Sequence, residues 1–147
     1  MVTEITTNTT LAPGTYTYDT LVIKSGATLT VQGDPLLEQA FKGVRIEANN
    51  IIVEDGARIT ADQEGYDLVT RGPGAPAEAE YTKGASHGGL GDSATLGTRY
   101  GSAKQPITFG SSNQTRGGGA IQLVAHNELT IDGVVSANGG NTSSGGS

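Results

Sequence analysis

Ile51 to Ala61 reads IIVEDGARITA, and two other stretches share its form: Leu21 to Val31, LVIKSGATLTV, and Leu129 to Ala137, LTIDGVVSA, which is two residues shorter. Each is a strand, a turn containing glycine and a second strand. The likeness extends upstream. Tyr16 and Tyr18 fall on Ile46 and Ala48 at a shift of 30, and Leu123 and Ala125 fall on the same pair at a shift of 77. Three copies of one unit are therefore visible, at 14–31, 44–61 and 120–137.

Within a copy the period is two. Ile46, Ala48, Ile51, Val53, Ala57, Ile59 and Ala61 alternate with Arg45, Glu47, Ile52, Glu54, Arg58 and Thr60, the pattern of strands with one buried face. Turns are expected at Asn49-Asn50 and Asp55-Gly56, residues that tolerate positive φ or bond their own backbone. A unit of this kind cannot bury its apolar face alone, so neighbouring copies must stack on one another. The fold class read from the chain is all-β: a right-handed parallel β-solenoid (β-helix) of about three to four rungs, with one short helix and one long glycine-rich excursion. The rival is an antiparallel sandwich or barrel, because Ser25-Gly26 and Asp55-Gly56 also resemble hairpin signals. Hairpins alone leave the near-identical units at unequal spacing unexplained.

Two insertions separate the copies in a single domain spanning 1–147. The first, 34–43, starts with Asp34-Pro35 and ends at Gly43, the cap, first-turn and stop residues of a short helix whose Leu36, Leu37, Ala40 and Phe41 would share one face. The second, 62–119, has no sustained periodicity and is rich in glycine, as in Gly72-Pro73-Gly74 and Gly117-Gly118-Gly119. An unpatterned segment of this length inside a compact domain is uncommon, and usually functional or disordered. Tyr66, Tyr81, Leu90, Leu96, Tyr100, Ile107 and Phe109 would anchor it.

Composition narrows the partners. The 147 residues are 35% hydrophobic and 5% aromatic and include 23 glycines, so much of the chain has no side chain to give to a core. A net charge of −6, with nine scattered Lys and Arg, argues against nucleic acid or an anionic membrane surface as a partner. No apolar run approaches the roughly 20 residues of a membrane span, so membrane insertion is not expected. There is no cysteine, which excludes disulfides and thiolate chemistry.

The succession GVRIEANNIIVEDGARITAD, EGY, GASHGGLGD, YGSAKQP and GGGAIQLVAHNELTIDGVVSANGG resembles the glycine-rich parallel β-helix segments of large secreted and cell-surface proteins of microbes. The resemblance covers most of 14–140. It implies a secreted or cell-surface location. The run from Asn138 to Ser147 reads as the start of another glycine-rich excursion and not as a cap, so the chain is expected to be a fragment of a longer protein or to cover its open end with another subunit. The β-helix architecture also hosts polysaccharide lyases, hydrolases, adhesins and tail spikes, so it specifies no single activity. The excursion departs from the pattern in carrying fewer glycines and more charges.

Catalysis finds no motif. A glycosidase needs two carboxylates across a cleft, and the densest acidic group, Asp62, Glu64 and Asp67, lies on what reads as a solvated turn. A lyase needs a base beside a cation, and Arg71, Arg99, Arg116 and His87 stand in no recognisable arrangement. No catalytic residue is assigned. His126 reads as a turn residue of the last copy, and His87, in Ser-His-Gly-Gly, as a hydrogen-bonding pin. If any cofactor is bound it is calcium, for which Asp62, Glu64, Asp67 and Asp92 with loop carbonyls would supply hard oxygen ligands.

The expected function is a non-catalytic structural or adhesive module that contacts polysaccharide or a surface protein through Tyr66, Arg71, Tyr81, His87, Arg99 and Tyr100. The alternative is a carbohydrate-active enzyme, a polysaccharide lyase or hydrolase, or its carbohydrate-binding domain. Open ends of the strand stack would also allow self-association.

Overall fold

The computed structural model describes residues 1–38, 41–76, 84–88 and 99–141. Eight strands follow one another: β1 (Val2–Ile5), β2 (Thr9–Leu11), β3 (Gly14–Ile23), β4 (Thr28–Val31), β5 (Val44–Val53), β6 (Arg58–Thr60), β7 (Ile121–Ile131) and β8 (Val134–Ser136). Odd strands form one sheet in the order β1-β3-β5-β7, and even strands form a second in the order β2-β4-β6-β8. Every pairing is parallel. The chain thus alternates between two sheets, and each copy of the repeat adds one strand to each.

This arrangement corrects the expected fold class. In place of a right-handed β-solenoid with a helix, the described residues form two separate parallel sheets, both open, and contain no helix. The expected helix at 34–43 fails for a local reason. The Asp34 carboxylate does accept the Leu36 N–H at 2.9 Å, but Leu37 N–H then bonds the Asp34 carbonyl at 3.2 Å and Asp34 N–H bonds the Lys42 carbonyl at 3.1 Å. The cap signal is satisfied by a single turn, and a segment this short lacks the length to propagate a helix without packing. Leu36 is 76% exposed while Leu37 and Phe41 are half-buried, so these residues do not share one buried face, and Ala40 lies outside the described residues.

The hairpin alternative also fails, because β3 pairs with β5 and not with β4. Gly26 and Gly56, at φ 82° and 77°, turn the chain from one sheet to the other, a left-handed conformation that glycine adopts without strain. The repeat alignment corresponds to the strand register: Tyr16 faces Ile46, Ile46 faces Leu123, Leu21 faces Ile51 and Ile51 faces Leu129. A fourth copy precedes the three found in the sequence, since β1 pairs with the second half of β3 and β2 with β4.

Asn49 and Asn50 do not turn the chain; they lie inside β5. Their amides run across strands instead. Asn49 donates to Asp19 at 2.8 Å, Asn50 to the Thr20 hydroxyl at 3.0 Å, and Asn127 to Asn50 at 2.7 Å. The register shifts at this point, so that His126 and Asn127 of β7 stand opposite Asn49 alone, a bulge that aims His126 at Glu47 (2.9 Å) from within a strand.

Period-two alternation places one face of each sheet inward, and the two faces share a core. Leu21, Ile23, Leu29, Val31, Val44, Ile46, Ile51, Val53 and Ile59 are fully buried in it, with Tyr16, Tyr18 and Leu123 packed at its margin. Leu129 and Ile131, which the register places beside Ile51 and Val53, are exposed: among the described residues no strand covers β7 on its outer edge.

Candidate binding surface on the glycine-rich excursion

The described parts of 62–119 are held by backbone hydrogen bonds between distant segments. Gly65 N–H donates to the Gly117 carbonyl and Gly117 N–H to the Tyr66 carbonyl, both at 2.9 Å, while Tyr66 N–H reaches Gly110 and Gly110 N–H reaches Gly118. The glycines make this approach feasible. A Cβ on Gly117 would overlap the Gly110 carbonyl, and one on Gly74 would overlap the Ser86 carbonyl. Backbone lies on backbone where a side chain would otherwise intervene.

Tyr100 anchors the centre. Its hydroxyl donates its one proton to the Phe109 carbonyl at 2.6 Å and so accepts from Ser111 Oγ at 2.7 Å; Ser111 Oγ in turn accepts the Gly74 N–H at 2.9 Å. Burial pushes the Tyr100 phenol up to about 12, against the opposing effect of the Ser111 hydrogen bonds, so it remains a neutral donor. The His87 ring packs edge-on against Tyr100 at 4.6 Å, and Nε2 meets Thr108 Oγ1 at 2.9 Å. Burial lowers the His87 pKa, which keeps the imidazole neutral at pH 7. Tyr66 packs edge-on against Phe109 at 6.1 Å. Arg71, at φ 53°, donates from Nη2 to the Pro76 carbonyl at 2.6 Å.

Of the six residues expected to bind ligand, Tyr66, Arg71, His87 and Tyr100 are therefore tied into the protein's own packing, and Tyr81 lies outside the described residues. His87 and Tyr100 nonetheless come together with Arg99 along a groove of about 430 Å³, completed by Gly88, Gly101, Ser102, Ala103 and Pro106. Arg99 is exposed there. A second groove of about 300 Å³ shares His87 and Pro106 and runs to Ile121 and Val135 at the edge of the strand stack. The sequence reading missed Ser111, the buried hydroxyl under Tyr100. Ser111-Ser112-Asn113 looks like any polar loop, and its burial follows only from pairing with segments far along the chain.

The expected calcium ligands are not brought together. Asp62 Oδ1 accepts the Asn138 N–H at 2.6 Å and Oδ2 the Ser136 hydroxyl at 3.0 Å. Glu64 Oε2 faces the Gly33 N–H at 3.4 Å. Asp67 Oδ1 accepts the N–H groups of Val69 and Thr70 and the Thr70 hydroxyl, all within its own turn. Asp92 lies outside the described residues, among which no group of three or more His, Cys, Asp or Glu is placed to hold a metal ion.

Burial raises the Asp62 carboxyl, but the Asn138 N–H, the Ser136 and Thr60 hydroxyls and the Arg58 charge outweigh it, and its net shift is downward. Asp67 is lowered by the Thr70 N–H and hydroxyl, against burial, with help from the Val69 N–H and Arg116. Both are held ionised as structural acceptors. Among the described residues no helix is long and apolar enough to cross a membrane, which leaves strand-built barrels unaddressed.

Comparison of the chain with family models, with curated proteins and with solved structures finds no match.

Proposed function

We propose that this chain is a non-catalytic structural or adhesive module of a secreted or cell-surface protein, and that the Arg99 groove contacts a neutral glycan. The observation that carries the reading is the groove's lining. Its described residues offer one guanidinium, a neutral imidazole, a serine hydroxyl and the ring of Tyr100, and none of them is a carboxylate. That set can hydrogen-bond and stack against a sugar ring, but it lacks the acid pair that glycoside hydrolysis requires. The strand stack beneath has a core of its own that takes nothing from the groove residues, so the module combines a packed body with a separate contact surface.

Glycan-array binding with the intact chain, followed by turnover assays on any hit, tests this. Binding without product release is the expected result, and it should be lost in Arg99→Ala, whose melting temperature stays unchanged because that side chain is exposed. Measurable cleavage of a bound glycan would move the reading to a carbohydrate-active enzyme. Absence of binding to every glycan and every surface-protein extract would remove the adhesive half of the proposal.

A further inference from the structure

The two ends of the strand stack are unlike. The inward columns Leu21–Ile51–Leu129, Ile23–Val53–Ile131 and Leu29–Ile59–Val135 run through successive strands. The inner two members of each are fully buried, whereas Leu129, Ile131 and Val135 are 48%, 43% and 37% exposed. At the opposite end the same columns finish in Thr3, Ile5 and Thr9, of which two are hydroxyl residues. Among the described residues, one end is therefore an apolar face on which the outermost strand of each sheet has no further strand beside it; the other is a half-polar face whose outermost strands, β1 and β2, likewise have none.

The footprints agree. The exposed apolar part of the β7/β8 end spans Glu128–Ile131 and Val134–Ser136, while the first half of β7, Ile121–Ala125, is already partly buried. Carried through the registers, these are the columns occupied by β1 and β2: Thr20–Asn50–Glu128 receives Val2, Ile23–Val53–Ile131 receives Ile5, and Thr30–Thr60–Ser136 receives Thr10. β2 and β8 are each three residues long. A β1/β2 pair set on this end would cover the three exposed columns with Thr3, Ile5 and Thr9 and would continue the hydroxyl column from Ser136 to Thr10. Every junction already present in the chain has this form, a parallel strand pair laid in register on the one before.

We propose that the β7/β8 end of one copy accepts the β1/β2 end of a second copy, strand on strand and parallel. The contact joins two different surfaces and does not close, so it generates a head-to-tail series and not a fixed dimer. The net charge of −6 per chain opposes it, so added salt strengthens association by screening. This contact is separate from any ligand in the Arg99 groove.

Sedimentation velocity of the full chain over a concentration series, at low and moderate salt, is the test. The weight-average mass is expected to rise past that of a dimer, and further with salt. Ile131→Lys, which spoils the apolar end, and Thr3→Lys, which spoils the other, should each leave folded monomers, with fold checked by circular dichroism and melting. An equimolar mixture of the two should form heterodimers and stop there, because each retains one intact end. A wild-type chain that stays monomeric at every concentration overturns the proposal. So do folded variants that remain monomeric when mixed, or a Thr3→Lys chain that assembles as well as wild type, which would mean apolar end on apolar end.

Discussion

The strand stack and the excursion bury backbone by opposite means. In the stack, large aliphatic side chains from two sheets fill the space between them, and the backbone bonds sideways in regular ladders. In the excursion, glycines let carbonyls and amides of distant segments meet directly, and a few aromatic residues wedge the result in place. The first device is repetitive and tolerates no charge. The second is irregular and tolerates no Cβ where its backbones meet, as at Gly74 and Gly117. It leaves room for exposed residues such as Arg99 on a framework that needs nothing from them, and for that reason a contact surface can lie there without weakening the body.

The largest expected difference is in the response to core substitution. Ile59→Ala should cost about 2–5 kcal/mol, and Val53→Asp should leave no folded protein, because an unpaired carboxylate would replace a side chain with no exposed surface. Leu68 and Val69 in the excursion are exposed, and Ala at either should change stability by under about 0.5 kcal/mol. Chemical denaturation of the three Ala variants makes the comparison, and equal costs in the two regions would erase the distinction.

The stack was largely legible in the sequence because its physics is local and periodic. Ile51 and Leu129 are recognisable as equivalents without knowing what they touch, and the register pairs them. The first copy was missed because Thr3 and Thr9 stand where later copies carry Leu, Ile or Val. The closed helical coil was an over-reading: alternation and repeat predict parallel stacking, but not how the sheets join. The helix at 34–43 failed because Asp34-Pro35 caps a single turn as readily as a helix. The excursion was opaque because a glycine's use depends on which carbonyl approaches it, and Gly65 meets Gly117 only through pairing across 52 positions. Its anchors Tyr66, Tyr100 and Phe109 could be named as anchors, but their partners could not.

Gly117→Ala sharpens the contrast at the next level. Its Cβ would collide with backbone, which cannot rotate away, and overpacking of this kind costs about 1–3 kcal/mol. Gly88→Ala, where an added Cβ meets nothing within 4 Å, should be silent. Melting temperatures of the pair decide it; a tolerated Gly117→Ala would mean that the excursion is not held by close backbone approach.

Tyr100→Phe should cost about 1–2 kcal/mol, since it removes the donor to the Phe109 carbonyl and the acceptor for Ser111 while keeping the ring against His87. The loss should appear as faster amide exchange in residues 84–88 and 108–111, with the strand amides unchanged. Loss of protection spread evenly over both regions would show that they unfold as one unit.

The smallest effects concern the two carboxylates that tie each region locally. Asp62 joins the stack to its last strand through Ser136 and Asn138, whereas Asp67 staples a turn within the excursion. Both are held below the ordinary aspartate value of 3.8. A depressed folded pKa contributes stability that is complete above the unfolded value and is lost as pH falls through the folded one. Stability should therefore be flat in this respect from pH 7 to about pH 4 and decline below it, each group supplying under about 1 kcal/mol because both are partly exposed. Glu54 is lowered too, by Lys24 and then by the Ser25 N–H, so part of the acid decline belongs to the stack whatever Asp62 does. Asp62→Asn and Asp67→Asn should each remove one share of the slope below pH 4 and leave the rest. Urea midpoints measured from pH 2.5 to 7 on the three proteins test this, with amide exchange at the lowest pH showing which region loosens first. A fall that begins above about pH 4 belongs to His87, whose burial lowers its folded value and so favours the protonated unfolded chain, whereas variants that parallel the wild type to the lowest pH would mean that these hydrogen bonds hold neither region.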